Sequence, residues 1–258
     1  MATSQGYGCR MDLGLSGRTA AVAAGTAGLG LGTAKALAAE GVKVVVCGRD
    51  EARLASALAQ IGHGATGFAC DVSTADGGRD FVTRAIAVLG QLDILVANGG
   101  GPPAGTFEST PEAEYAPALE RSLLSVVAMC GVAIPPMRER RWGRILAITS
   151  SSVRQPVPNI ILSNTARAGV TAYLKTVSRE IAADGVTVNT IQPGTHDTDR
   201  IRQLYGTNIE AAAATVPTRT VGDADDFGAL AAFLCSDQAK FVTGVNLQVD
   251  GGAYAGLI

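Results

Sequence analysis

Apolar positions along the chain fall into two alternating textures. Short runs rich in β-branched or small apolar residues read as strands: Ala20–Ala24, Val42–Cys47, Ala65–Ala69, Asp93–Ala97, Arg144–Thr149, Val186–Ile191 and Asn246–Val249. Between them lie longer stretches with apolar residues at helical spacing: Leu29–Glu40, Glu51–Ile61, Gly78–Leu89, about Pro111 to near Pro135, Asn164–Asp184 and Asp223–Ser236. Val42–Cys47 and Asp93–Ala97 are apolar almost throughout, as strands buried on both faces should be. Seven strands alternating with about six helices imply parallel strands, because each crossover must pass over a face of the sheet. The pattern predicts one Rossmann-type α/β domain, a doubly wound parallel sheet with helices on both faces. It spans 12–258, preceded by a leader over 1–11. In such sheets ligands sit at the carboxyl ends of the strands, so the loops after the strands carry the functional signal.

Composition narrows the classes. The chain is 47% hydrophobic over 258 residues, which excludes a disordered protein. A net charge of −2, from 21 basic and 23 acidic residues, lacks the basic excess of a nucleic-acid binder. No continuous apolar run reaches the ~20 residues of a membrane-spanning helix. The uncharged stretch Ser122–Met137 contains two prolines and reads as a buried helix. Met1–Arg10 is small and polar, unlike a signal peptide, so a cytoplasmic protein is expected. The five cysteines are scattered and form no CxxC, and there are only two histidines, so neither a disulfide framework nor a metal centre is expected.

The loop after the first strand reads Ala23-Ala24-Gly25-Thr26-Ala27-Gly28-Leu29-Gly30. Glycines here allow a tight turn and close approach of a pyrophosphate to backbone. The helix that follows offers free N–H groups and the positive end of its dipole. The second strand ends Cys47-Gly48-Arg49-Asp50. An acid at this tip would bind a ribose diol, whereas an arginine suits a 2′-phosphate. With Gly48 removing the acid and Arg49 supplying a cation, NADP (NADPH) is favoured over NAD. Asp50 lies 20 residues beyond Gly30, the spacing of a ribose-binding acid, but reads rather as the N-cap of the next helix.

Taken together, these loops resemble the short-chain dehydrogenase/reductase family from about residue 12 to 258. Gly28 and Gly30 match its TGxxxGxG turn, with Ala23 and Ala24 in place of Thr and the first Gly; Gly25 is expected to supply the lost flexibility. Asp71-Val72 matches the family's adenine-receiving pair, and Asn98-Gly99-Gly100 its NNAG. Asn189, Pro193-Gly194 and Thr198 match the segment holding the nicotinamide amide. Phe241-Val242-Thr243-Gly244 with Val249-Asp250-Gly251-Gly252 resembles the C-terminal signature. By this resemblance Ala24, Gly25, Thr26, Gly28, Leu29, Gly30, Arg49, Asp71, Val72, Asn98, Gly99, Gly100, Arg167, Pro193, Gly194, His196 and Thr198 form the cofactor site.

The catalytic set departs from the family. Its Tyr and Lys, four apart on one helix, correspond to Ser163 and Arg167; its Ser corresponds to Ser150, and its Asn to Ser122. The pattern resembles an atypical ketoacyl-carrier-protein-reductase-like subgroup. Reducing a carbonyl requires a proton for the developing alkoxide. A phenol beside a cation can be tuned for this from about pKa 10, but a serine hydroxyl is too weak an acid. Arginine stays protonated and cannot pass on a proton. Water held by Ser150, Ser163 and Arg167, or His196 just past Pro193-Gly194, then remains as the donor. Tyr173 is ten residues past Ser163, about 15 Å along a helix. Tyr205 lies in the expected substrate lid, Thr198 to Pro217, where Asp197 and Asp199 read as turn or N-cap residues. Arg138, Arg140, Arg141 and Arg144 around Trp142 form a basic patch, read as a solvated face or a site for an acidic carrier.

Two principal readings follow. One is an NADP-linked oxidoreductase acting on a small-molecule carbonyl or alcohol with a non-standard proton donor. The other is a catalytically inactive nucleotide-binding homologue serving as sensor or assembly partner. A lyase or isomerase reusing the pocket is a weaker third. No nucleic-acid or membrane partner is expected, and the family resemblance implies a homodimer or homotetramer.

Overall fold

The computed structural model describes residues 11–199, 201–202 and 209–257. The strands are β1 (Thr19–Val22), β2 (Lys43–Gly48), β3 (Thr66–Ala69), β4 (Ile94–Ala97), β5 (Gly143–Ile148), β6 (Val186–Pro193) and β7 (Asn246–Val249). They form one sheet in the order β3-β2-β1-β4-β5-β6-β7, with every neighbouring pair parallel. The helices are α1 (Gly28–Ala39), α2 (Glu51–Ile61), α3 (Ala75–Leu89), α4 (Tyr115–Leu119), α5 (Ser125–Glu139), α6 (Ile161–Ile181), α7 (Ile209–Ala214) and α8 (Ala224–Leu234). The chain winds outward from β1 toward β3, then returns to place β4 on the other side of β1. That reversal opens the crevice in which a doubly wound sheet binds ligands.

Strand alternation sorts the core into two layers. Ala147 and Val188 pack with Met129, Val170 and Leu174 of α5 and α6 on one face. Leu146, Ile148 and Ile191 pack with Leu37 and Phe227 of α1 and α8 on the other. Helices α1 and α8 cross at Gly32 and Gly228. A Cβ added at Gly32 would lie 1.9 Å from Ala224 O, and one at Gly228 would lie 2.2 Å from Gly32 O. Backbone therefore meets backbone at this crossing.

Most element boundaries differ from the sequence expectation by one to three residues, as frayed ends do. Thr74, not a residue near Gly78, starts α3: its hydroxyl accepts the Gly77 N–H at 3.0 Å. The larger correction concerns Pro135, expected near a helix end. Helix α5 continues through Pro135 and Pro136 to Glu139. The prolines remove two ladder donors, but burial of Ala133, Ile134 and Met137 in the core holds the last turn. By length and composition the helical stretch Glu112–Glu139 is long and apolar enough to cross a bilayer, with a mean hydropathy of 1.5 over its best window. In the fold this stretch packs against α3 and α6.

In the cluster around Trp142, Arg138, Arg140 and Arg141 are exposed, as a solvated face should be, and each is also paired within the chain. Arg138 pairs with Asp184 at 2.6 Å, Arg140 donates to Leu92 O at 2.6 Å, and Arg141 donates to Ala183 O at 2.8 Å. Arg144 is buried, with its guanidinium over the Trp142 ring at 4.3 Å and 3.5 Å from Asp237. Burial lowers its pKa, partly opposed by Asp237. These residues staple the amino-terminal edge of the sheet, opposite the ligand crevice.

Candidate active site

The turn between β1 and α1 sits at the centre of the crevice. Ala24 takes the left-handed conformation at φ +47°, and Gly28 does so at +51°. The expectation that Gly25 supplies the flexibility lost at Ala24 is corrected here: Ala24 itself takes the positive φ and Gly25 does not. Gly25 is required instead by space, since an added Cβ would meet Val46 Cγ1 at 2.9 Å and Val22 O at 3.1 Å. A Cβ at Gly30 would lie 2.7 Å from both Ala24 O and Asn98 Nδ2. Asn98 donates to Ala23 O at 3.2 Å and Ala24 O at 3.3 Å, tying the turn to the end of β4. The result is a backbone cradle that side chains would fill, which fits a bound pyrophosphate. Thr198 leans over it, with its methyl 3.2 Å from where a Cβ of Gly28 would stand. Leu29 lies in the first turn of α1.

At the tip of β2, Gly48 is covered by Thr26, whose side chain lies 2.6 Å from the position of an added Cβ. Arg49 beyond it is exposed. Asp50 caps α2 by accepting the Arg53 N–H at 2.7 Å. Asp71 is exposed and accepts Ser73 N–H at 3.0 Å, and Val72 beside it is buried. Among the described residues, no neighbour lies within 4 Å of an added Cβ at Gly99 or Gly100. A cleft of about 380 Å³ opens along the turn, lined in part by Thr26, Gly28, Lys35, Arg53 and Thr198.

Of the residues expected at the family's catalytic positions, Ser150 and Arg167 meet the carboxyl ends of β4 and β5. Ser150 Oγ accepts the Ser152 N–H at 3.1 Å, which leaves its own hydrogen to donate. Ser163 and Arg167 both lie on the buried side of α6. The Arg167 guanidinium donates to Ile148 O at 2.9 Å and Gly99 O at 3.4 Å, so it bridges the ends of two strands. Ser122 lies in a π-helical turn, Glu120–Leu124, between α4 and α5. Such turns recur at functional sites. Its Oγ is buried without a hydrogen-bond partner among the described residues.

His196 sits elsewhere. It is buried, its Nδ1 lies 3.3 Å from Gly194 O, and its ring meets Phe227 edge-on at 5.2 Å. A Cβ at Gly222 would lie 2.6 Å from Nε2. These contacts belong to the α8 layer, across the sheet from Ser163 and Arg167. Burial lowers its pKa, partly offset by the Gly194 carbonyl. Thr198, rather than Asp197 or Asp199, caps the following turn by accepting Ile201 N–H at 3.4 Å. Asp197 pairs with Arg202 at 2.9 Å and Asp199 with Arg53 at 3.5 Å. Tyr173 is on the α6 layer beside Cys130, and burial pushes its phenol pKa up. Tyr205 lies outside the described residues.

Three features escaped sequence reasoning: the double anchor from Asn98, the π turn at Ser122, and unpartnered polar side chains at the ends of the last strands. The apolar groove of about 480 Å³ between the loops after β4 and β5, lined by Gly105, Phe107, Val157 and Ile161 among others, also carried no motif. Gly105 N–H to Asn159 O at 2.8 Å holds those loops together.

A parallel sheet with a glycine cradle at its topological switch defines the class, a Rossmann-type dinucleotide-binding fold. The family described as Enoyl-(Acyl carrier protein) reductase matches residues 23–254. The chain is 31% identical to 3-oxoacyl-[acyl-carrier-protein] reductase FabG of Vibrio cholerae, over 94% of this chain and 99% of that one. It is 29% identical to human dehydrogenase/reductase SDR family member 4, over 92% of this chain and 88% of that one. Its fold is similar to the structure of L-sorbose reductase from Gluconobacter frateurii complexed with NADPH and L-sorbose. The TM-score is 0.88 at 27% identity, covering 96% of this chain and 100% of the other. The chain belongs to the short-chain dehydrogenase/reductase family.

Proposed function

We propose that this protein is an NADP(H)-linked oxidoreductase that interconverts a small-molecule carbonyl and its alcohol. The observation that carries the reading is the tip of β2. Thr26 fills the space over Gly48, where a ribose-binding acid would project, and Arg49 stands exposed beside it. An arginine there pairs with a 2′-phosphate and has nothing equivalent to gain from a ribose hydroxyl. The glycine cradle supports pyrophosphate binding next to it. Relatives whose names or structures include NADPH or a reductase activity lie in the same direction.

When bound, the reduced nicotinamide would supply a hydride to the carbonyl carbon. The protein's part is to orient the carbonyl and see that its oxygen receives a proton. Ser150 has a free donor hydrogen for that oxygen. Arg167, fixed across two strand ends, supplies positive charge close by without giving up a proton. Ser163 is too weak an acid to replace a phenol. Water therefore supplies the proton in this reading, and His196, packed under α8, does not.

The test is a fluorescence titration with NADPH and NADH in parallel, followed by a screen of ketones and aldehydes monitored by cofactor absorbance. Tighter binding of NADPH, lost on Arg49→Glu, together with turnover above a Ser150→Ala background supports the reading. Equal affinity for both cofactors refutes the role of Arg49. A second reading, a nucleotide-binding protein without turnover, is favoured by one observation: the Arg167 fork is engaged by two backbone carbonyls. NADPH binding with no turnover on any carbonyl would favour it.

A further inference from the structure

We propose that Thr149, Gln192 and Gln248 form a hydrated row across the ends of β5, β6 and β7, and that this row delivers the proton the catalytic positions lack. The proposal rests on the reductase reading above.

The register sets the row. Gln192 on β6 is paired with Gln248 on β7. Ile148 on β5 is paired with Ile191, so Thr149 comes level with Gln192, and Thr149 N–H bonds Ile191 O at 3.0 Å. Alternation sets the face. Ala147 and Val188 lie in the core layer of α6, and Ile148 and Ile191 in the layer of α8. Leu247 and Val249 also pack on the α8 layer. Thr149, Gln192 and Gln248 thus share the α6 face. At the inner end of the row, Arg167 donates to Ile148 O, one residue before Thr149, and Ser150 follows one residue after it. At the outer end, β7 is the edge strand and is only partly buried.

Four polar atoms along this row have no hydrogen-bond partner among the described residues. They are Thr149 Oγ1, both Nε2 and Oε1 of Gln192, and Gln248 Nε2. Gln192 has 0% exposure and Thr149 6%. A buried carboxamide bonded at neither end is strongly disfavoured, and such groups are ordinarily met by internal water. Water satisfying the row would run from the arginine-bearing site to the edge of the sheet. A carboxamide offers donors and acceptors to neighbouring waters without holding a charge. In the proton step, the substrate oxygen forms a bond to a proton as the O–H bond of the adjacent water breaks. That water is reprotonated by the next along the row, and the last takes its proton from solvent. No redox change occurs in the row, and Gln192 is a positioning residue.

The experiment pairs water density with kinetics. A high-resolution crystal structure of the wild-type protein should hold ordered water between Gln192, Thr149 and Gln248, and Gln192→Leu should remove it. Gln192→Leu should lower kcat at least tenfold with KM and NADPH affinity unchanged and raise the solvent deuterium isotope effect. Millimolar imidazole or formate should restore part of the rate. Gln248→Leu, at the partly exposed end, serves where Gln192→Leu fails to fold, and should give the same signature more weakly. Dry density along the row overturns the proposal, as does kcat of Gln192→Leu within twofold of wild type with an unchanged isotope effect. Failure of the underlying reading looks different: wild-type protein that turns over no carbonyl refutes the reductase and its relay, whether or not the row holds water.

Discussion

Ala24 is the position where a small change should repair a visible strain. It holds φ +47° in the turn beneath the proposed pyrophosphate site. A left-handed L-residue costs about 1–2 kcal/mol. Ala24→Gly removes that cost, while the added freedom of the unfolded chain costs about 0.4–1 kcal/mol. The net expectation is a gain of roughly 0.8 kcal/mol, within a range of about 0 to 1.6. For a domain of this size, 1 kcal/mol moves Tm by about 2–4 °C, so the melting point should rise by about 2–3 °C. Gly25→Ala is the control, because its Cβ would press on Val46 and Val22 O within 3.1 Å and should lower Tm by several degrees. Differential scanning calorimetry of the three proteins, with urea melts for ΔG, measures both. NADPH affinity should hold or rise in Ala24→Gly, since the loop gains no new contact with its neighbours. A loss of 1 kcal/mol or more in Ala24→Gly would refute the assignment of strain to Ala24. A neutral Gly25→Ala would refute the steric role given to Gly25.

Other expectations follow from single contacts. Gly32→Val places carbon against Ala224 O, so α1 and α8 must separate, and urea melts should show a loss of at least about 2–3 kcal/mol. Arg167→Ala removes the donors to Ile148 O and Gly99 O and should weaken NADPH binding measured by titration, whereas Arg167→Lys should recover only part of it. His196 has a folded pKa below 6.5 because of burial, so the unfolded chain binds its proton first. Stability should therefore be full above pH 6.5 and fall as pH drops from there toward the lower folded value. His196→Gln should flatten that limb of a stability-against-pH series, and an unchanged limb would assign the dependence to other groups.

The sequence carried the architecture because its two periodicities differ so plainly. Val44–Cys47 and Ile94–Ala97 are apolar throughout and buried, as strands covered on both faces should be. Asp50 illustrates a residue whose two readings the structure separates: its carboxylate accepts the Arg53 N–H, which is a cap's geometry. Local pattern failed where tertiary packing outweighs local preference. Pro135 and Pro136 read as a stop, yet Ile134 and Met137 are buried and hold the turn. Ala24 read as a lost glycine whose freedom moves to Gly25. Gly25 has no room for a side chain and no left-handed φ, so the strain stays with Ala24. Gln192 and Thr149 could not be singled out at all, because unpartnered atoms are a property of three aligned strands and not of any one segment.

That last failure bears on the chemistry. In the family pattern a phenol is acid and its lysine neighbour the tuning charge, both on one helix turn. In the function proposed above, Ser163 and Arg167 of α6 stand at those two positions, a hydroxyl that cannot be tuned far enough and a cation that cannot give its proton away. Arg167 is fixed by carbonyls from β4 and β5, so its charge stays in place without a proton to spend. Such a site requires a mobile proton from outside the helix. Among the described residues, the row on β5, β6 and β7 is a buried feature with spare donors and acceptors that reaches from Ile148 to the edge strand. If the helix has lost its acid and the enzyme still turns over, the rate should depend on Gln192, a residue no catalytic motif would have named. If it does not, the row is a structural accident and the proton must be traced elsewhere. The kcat of Gln192→Leu, read against its KM and isotope effect, decides between those two enzymes.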